Sequence, residues 1–106
     1  MRPEEVPMSR PSPLTPGEIA TRLESLPGWT LSGAALRRDF VFADFPEAFG
    51  FMTRAAFAAE KLDHHPDWSN SWNRVTVALS THDAGGITDL DFQLASVMQR
   101  LMKMTE

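Results

Sequence analysis

Residues 44–68 read DFPEAFGFMTRAAFAAEKLDHHPDW, and they contain the longest helix that the sequence predicts. Asp44 can cap the start of this helix, and Glu47 follows three residues later, as in a capping box. The helix must end before Pro66, because proline disfavours helical geometry in the residue ahead of it. The pattern therefore predicts a helix over residues 45–62, followed directly by two histidines and an extended segment.

Apolar side chains lie on two sides of this predicted helix. One stripe consists of Phe45, Phe49, Met52, Ala56 and Ala59, and the other consists of Phe51, Ala55, Ala58 and Leu62. A helix that is apolar on two sides needs two packing partners. We expect one partner to be the sheet of the same domain and the other to be a second subunit. A helix sandwiched inside a single domain is the alternative.

Two further helices are predicted, one on each side of the central helix. Thr15 can cap the first helix, Glu18 completes its capping box, and Pro27-Gly28 ends it. The last helix begins after Thr88 and runs to Met104. Its apolar side chains form a single stripe at helical spacing: Leu90, Leu94, Val97, Met98 and Leu101.

Alternating apolar and polar residues predict strands between the helices. The clearest alternation covers residues 74–81, a second covers residues 36–42, and shorter extended pieces cover residues 29–31 and 68–72. The element order is therefore α-β-β-α-β-β-α. Hairpin connections favour an antiparallel sheet with the three helices packed on one face, which is an α+β fold.

The composition describes one small domain. The chain has 106 residues, of which 42% are hydrophobic and 23% are charged. Prolines and polar residues in positions 1–14 predict a disordered tail, and residues 15–106 form a single predicted domain. The tail lacks the features of a signal or transit peptide, so we expect a cytoplasmic location. A folded part of this size is marginally stable alone, which favours a homodimer or homotetramer.

Charge and cysteine content exclude several kinds of site. The formal net charge is −4 and there is no basic stripe, so we expect no nucleic-acid partner. No apolar run is long enough for a membrane span, so we expect no membrane partner either. The absence of cysteine excludes disulfides, thiolate metal sites and thiol nucleophiles.

The three histidines of the chain, His64, His65 and His82, lie close together in sequence. His64 and His65 stand where the central helix unwinds before Pro66, and Glu60 precedes His64 by one helical turn, within pairing reach. His82 ends the predicted strand, on the face away from its apolar side chains, and a small loop follows it.

Three interpretations of this cluster remain open on the spacing alone. The first is structural: the adjacent histidines cap the C-terminus of the helix, and His82 is a polar strand end. The second is a zinc site, although neighbouring histidines rarely converge on one ion. The third is acid–base catalysis without a metal, because imidazole exchanges protons near neutral pH. Trp68 and Trp72 could wall a pocket for a flat heterocycle, or pack in the core, with Trp72 the more core-like.

The spacing of these residues resembles the signature of the pterin-4a-carbinolamine dehydratases. The matching pattern is Glu60-Lys61-x-x-His64-His65-Pro66, then five residues to Trp72, nine to His82 and eight to Asp91. The resemblance extends from residue 15 to about residue 104 and includes the order of the elements. Its four fixed gaps make it a specific match.

The resemblance implies a fold and a reaction. The family removes water from 4a-hydroxytetrahydropterins and produces quinonoid dihydropterin, which regenerates the pterin cofactor of aromatic amino-acid hydroxylation. It acts as a hydro-lyase on a small pterin substrate and uses no metal and no bound cofactor. Its fold is a four-stranded antiparallel sheet with helices on one side, assembled into dimers or tetramers partly through helices.

The resemblance also implies the residues of the site. His64 and His82 would act as general acids toward the 4a-hydroxyl group, one for each face of the ring, and His65 would handle the ring-nitrogen proton. Glu60 and Asp63 would orient histidines or meet the pterin. Further positions near the substrate are Pro66, Trp68, Ser80, Thr81 and Asp83. Asp91 is a supporting residue that can equally complete the capping box of the last helix. The alternative function is a non-catalytic pterin-binding or protein-binding module of the same fold.

Overall fold

The computed structural model describes residues 11–105, and the predicted order of elements is confirmed there. Within these residues lie three α-helices and four strands. The helices are α1 (Pro16–Leu23), α2 (Phe45–Leu62) and α3 (Asp89–Thr105), and the strands are β1 (Thr30–Ser32), β2 (Ala35–Val41), β3 (Asp67–Ser71) and β4 (Arg74–Leu79).

The four strands form one antiparallel sheet in the spatial order β1-β2-β4-β3. Strands β2 and β4 lie side by side in the centre, with Phe40 opposite Val75 and Leu36 opposite Leu79. The chain between them forms α2 and the edge strand β3. This topology brings the end of β4 close to the start of β3, because Asp67 lies opposite Ala78.

The helices cover one face of the sheet, as predicted. Alternate residues of the central strands are fully buried, among them Leu36, Phe40 and Val77, whereas their neighbours Arg37 and Asp39 are exposed. The ring of Phe40 packs against Phe51 of α2, with 4.7 Å between the ring centroids. The α+β fold class is therefore confirmed.

Helix α2 keeps two apolar sides, and the core covers one of them. Its buried residues are Ala48, Phe51, Ala55 and Ala59. The other side exposes Phe45 and Phe49, and Phe57, which was in neither predicted stripe, is 73% exposed. Ala59, which we placed in the same stripe as Phe45 and Phe49, belongs to the core side.

The predicted N-terminal boundary of the domain lies near the start of the described residues. The predicted tail at residues 1–14 falls mostly on residues 1–10, which lie outside the described residues. Leu14 packs against the core, and its backbone N–H donates to the carbonyl of Ile87 at 2.8 Å. The division of the chain into tail and domain otherwise stays a prediction.

Trp68 and Trp72 show the reverse of the burial that we expected. Trp72 was predicted to be the more core-like, but it is 67% exposed in the turn between β3 and β4, with φ of 49°. Trp68 is half-buried and packs against the core, because it shares a sheet face with its partner Val77. The alternation along β3 decides this, since it turns Asp67 and Trp68 to opposite faces.

An ion pair joins α1 to the start of α3. The Arg22 guanidinium donates to the Asp89 carboxylate, and Gln93 donates to the same carboxylate. The Arg22 hydrogen bond, followed by that from Gln93, holds the pKa of Asp89 below its ordinary value of 3.8.

None of the described helices is long and apolar enough to cross a membrane.

The lowered pKa of Asp89 predicts a pH-dependent contribution to stability. A carboxylate whose pKa is lower in the folded state stabilises the fold above its unfolded pKa, and this contribution disappears as the pH falls through the folded value. Because the pair is about half exposed, we expect Asp89→Asn to lower the free energy of unfolding by about 0.5 kcal/mol at pH 7. Urea titrations of parent and variant at several pH values measure this difference. A difference that persists unchanged at strongly acidic pH would contradict the explanation.

Candidate active site

The C-terminus of α2 places the two adjacent histidines in different surroundings. Asp63 ends the helix in the left-handed conformation, with φ of 51°, and its N–H bonds back to the carbonyls of Ala59 and Glu60. Aspartate tolerates this conformation better than most residues. The reversal of the chain turns His64 toward α3 and leaves His65 facing solvent. This local geometry explains why neighbouring residues can serve one site from different directions.

His64 forms a buried pair with Asp91 from α3. The imidazole Nε2 lies 2.5 Å from Asp91 Oδ1, and the two side chains are 6% and 0% exposed. A histidine whose one nitrogen bonds a fixed carboxylate has a defined orientation, and its other nitrogen remains for a substrate. Asp91 therefore occupies Nε2 of His64 and fixes the orientation of the ring.

Asp91 also caps α3, as the sequence predicted. Its Oδ2 accepts the backbone N–H of Thr88 and the hydroxyl of Thr81, both at 2.9 Å. The Thr88 hydroxyl lies 2.8 Å from that of Thr81 and accepts the backbone N–H of Leu90. One carboxylate thus connects the helix cap, Thr81 and His64. The capping role was visible in the sequence, and the contact with His64 was not.

Glu60 pairs with His65, and the expectation that it reaches His64 is wrong. The carboxylate Oε1 lies 3.0 Å from Nε2 of His65, at the protein surface. The expected spacing of four residues holds only in a continuous helix. Asp63 interrupts the helix, so His64 turns inward and His65 comes within reach of Glu60.

His82 lies beyond the strand that we expected it to end. Strand β4 stops at Leu79, and His82 begins a short 3-10 turn, His82–Ala84. Thr81 and Gly86 close this turn by an isolated bridge, with two backbone hydrogen bonds of 3.0 and 3.3 Å. The His82 side chain is 80% exposed, and its Nε2 lies 3.5 Å from the carboxylate of Asp67.

These elements meet at one depression of about 260 Å³. Its lining contains all three histidines together with Asp63, Pro66, Asp67, Ser80, Thr81 and Asp83. Its volume is close to the lower end of ligand pockets, about 300 Å³, and suits a small ring system. Larger depressions of about 420 and 510 Å³ elsewhere contain no histidine among their described lining residues.

Most of the predicted site residues line this depression, but Glu60, Trp68 and Asp91 are not among its lining residues. Glu60 and Asp91 hold histidines without lining the depression themselves, and Trp68 lies on the core face of β3. Asp67 was not among the predicted site residues, although its place directly after Pro66, at the start of β3, was the available signal. Each histidine therefore has a carboxylate of its own: Asp91 for His64, Glu60 for His65 and Asp67 for His82.

The geometry does not bring the histidines together as metal ligands. Among residues 11–105, no group of three histidine, aspartate or glutamate side chains is arranged to hold a metal ion. The His64 nitrogen that faces Asp91 is engaged by that carboxylate. A set of imidazoles, each with its own carboxylate, is suited to donating and accepting protons.

Comparisons with known proteins identify the family of the chain. The sequence model of the family described as pterin 4 alpha carbinolamine dehydratase matches residues 12–101. A relative from Rhizobium johnstonii, provisionally named as such a dehydratase, is 55% identical over 84 residues, which are 77% of this chain and 83% of the relative. A relative from Bradyrhizobium diazoefficiens with the same provisional name is 58% identical over 85 residues, 78% of this chain and 85% of the relative.

A solved structure shows the same fold. The crystal structure titled transcriptional coactivator/pterin dehydratase from Brucella melitensis superposes with a TM-score of 0.83 at 47% identity. The match covers 86% of this chain and 99% of that chain. The motif, the fold and the relatives thus lead to one conclusion: the chain belongs to the pterin-4-alpha-carbinolamine dehydratase family.

Proposed function

We propose that the protein dehydrates 4a-hydroxytetrahydropterins to quinonoid dihydropterins by histidine acid–base catalysis. The observation that carries this proposal is that His64, His65 and His82 line one depression, each beside its own carboxylate. In the cell, this reaction would recycle a tetrahydrobiopterin-type cofactor in the cytoplasm. The pterin is the substrate, and the proposal includes no metal and no further cofactor.

The reaction needs one acid and one base and no electron acceptor. The bond between C4a and the hydroxyl oxygen breaks, and the oxygen leaves as water after it receives a proton. The proton on N5 is lost, and the electron pair of that N–H bond forms the double bond between N5 and C4a. Hydroxide is a poor leaving group, so protonation by an imidazolium as the bond breaks lowers the barrier.

The surroundings of each histidine support a division of roles. His64 and His82 act as acids toward the 4a-hydroxyl group, one for each face of the ring, because they reach the depression from different elements. His65 takes the N5 proton, and Glu60 at 3.0 Å stabilises the imidazolium that forms. Asp91 orients His64, so Nδ1 of His64 is the atom that meets the substrate.

The decisive experiment follows the decay of 4a-hydroxytetrahydropterin, generated in place by a pterin-dependent hydroxylase, with and without the purified protein. We expect a large acceleration of the decay at catalytic protein concentrations. No acceleration would contradict the proposed function. Binding of a stable pterin without acceleration would instead support the non-catalytic module.

The exposed side of α2 supports a second proposal, which concerns assembly. Phe45, Phe49 and Phe57 present their rings to solvent along one helix. Exposed apolar patches of this kind mark interaction sites. We propose that two or four copies pack through this side of α2 and form a homodimer or homotetramer.

Sedimentation velocity tests the assembly. We expect a species larger than a monomer at micromolar concentration, and we expect Phe49→Asp and Phe57→Asp to shift it toward the monomer. Leu31→Asp, at an exposed apolar residue of β1, is the matched control and should leave assembly unchanged. A monomeric parent protein would contradict the proposal.

A further inference from the structure

The segment before α1 lies against the turn that carries His82. The backbone N–H of Leu14 donates to the carbonyl of Ile87 at 2.8 Å. Pro13 packs on Gly86, since a Cβ added to that glycine would lie 3.4 Å from Cβ of Pro13. We call Pro13 and Leu14 the N-terminal anchor. They contact the two residues that follow the turn.

Gly86 pairs with Thr81, and this pair joins the two ends of the His82 turn. The Thr81 N–H donates to the Gly86 carbonyl at 3.0 Å, and the Gly86 N–H donates back at 3.3 Å. Gly85, in the left-handed conformation with φ of 77°, donates to the carbonyls of Thr81 and His82. The position of His82 therefore depends on the position of the Thr81–Gly86 pair.

Different contacts hold the two residues of this pair, with Thr81 on one side and Gly86 on the other. On one side, the Thr81 hydroxyl donates to the buried carboxylate of Asp91. On the other side, Gly86 has no side chain: Pro13 packs on it, the Leu14–Ile87 hydrogen bond lies beside it, and the Ile87 side chain is buried in the core. The contact between His82 and Asp67 adds little restraint to the turn, because both side chains are exposed and the His82 nitrogen lies 3.5 Å from the Asp67 oxygen.

We propose that Pro13 and Leu14 are positioning residues for His82. By holding Gly86 and Ile87, the N-terminal anchor keeps the His82 turn at a fixed distance from His64 and His65 across the depression. The catalytic part of this inference rests on the proposed function, whereas the structural part does not. Catalytic groups must be placed closely, and a displacement of about 1 Å can cost up to about 100-fold in rate.

Two substitutions in the full chain separate the backbone hydrogen bond from side-chain packing. Leu14→Pro removes the N–H that donates to Ile87, and Leu14→Ala keeps that N–H while it shortens the side chain. We expect Leu14→Pro to raise hydrogen exchange at the Thr81 and Gly86 amides by about ten-fold. We expect it to lower kcat by about ten-fold, with KM changed by less than about three-fold. Leu14→Ala should leave both amides protected.

A double-mutant cycle distinguishes positioning from general destabilisation. In a His82→Ala background, Leu14→Pro should cause no further loss of kcat, because the group that it positions is gone. An equal loss in both backgrounds, or unchanged exchange at Thr81 and Gly86, would overturn the inference. If the parent protein lacks dehydratase activity, the proposed function fails, and the exchange measurements still decide whether the anchor holds the turn.

Discussion

Asp91→Ala is expected to lower the free energy of unfolding by about 3–5 kcal/mol, because it leaves a buried network without its acceptor. The Asp91 side chain is 0% exposed and accepts from Thr81, from the Thr88 backbone and from His64. Removing it leaves these groups buried without a partner, and an unpaired buried polar group costs more than a lost hydrogen bond alone. For a domain of this size, the melting temperature should fall by roughly 15 °C or more.

Thermal and urea denaturation measure this effect, and the chain offers a matched control. Asp39 is an exposed aspartate that pairs with Arg74 at 3.5 Å, and Asp39→Ala should change stability by less than about 0.5 kcal/mol. The loss of stability in Asp91→Asn should lie between those of Asp91→Ala and Asp39→Ala. The asparagine amide has only one oxygen, so it can accept only some of the hydrogen bonds that the carboxylate accepts. Equal effects of Asp91→Ala and Asp39→Ala would show that the network does not stabilise the fold.

The second large effect concerns the exposed histidines. We expect His65→Ala and His82→Ala each to lower kcat/KM for dehydration by about 10²–10⁴-fold, which is the usual contribution of a positioned acid or base. Their side chains are 60% and 80% exposed, so stability should change by less than about 0.5 kcal/mol. Rate and stability should therefore separate, unlike in Asp91→Ala, where both should fall.

The assay with generated 4a-hydroxytetrahydropterin measures these rates, and denaturation checks the fold of each variant. Ser71→Ala is a suitable control, because Ser71 is an exposed residue at the far end of β3 from Asp67. It should match the parent protein in both measurements. If His65→Ala accelerates the decay as well as the parent protein does, histidine catalysis is wrong.

Local patterns account for the elements of the fold. Capping residues, proline positions and apolar periodicity mark the helices, and alternation marks the strands to within a residue or two. These signals act between residues close in sequence, where backbone geometry alone sets which side chains share a face. The misplaced tryptophans show the limit, because Trp72 sits in a tight turn whose conformation the alternation around it does not indicate.

Most residues that line the depression with the three histidines were also predictable, whereas the carboxylate partner of each histidine was not. The amino-acid sequence by itself determined the α+β order, the histidine cluster and the family motif, because each is encoded in short spacings. Only the tertiary structure decided that Asp91 holds His64 across 27 residues, that Glu60 turns to His65 and that Asp67 meets His82. The physical reason is that the left-handed residue at Asp63, the packing of α2 against α3 and the pairing of β3 with β4 bring these atoms within 3.5 Å of one another.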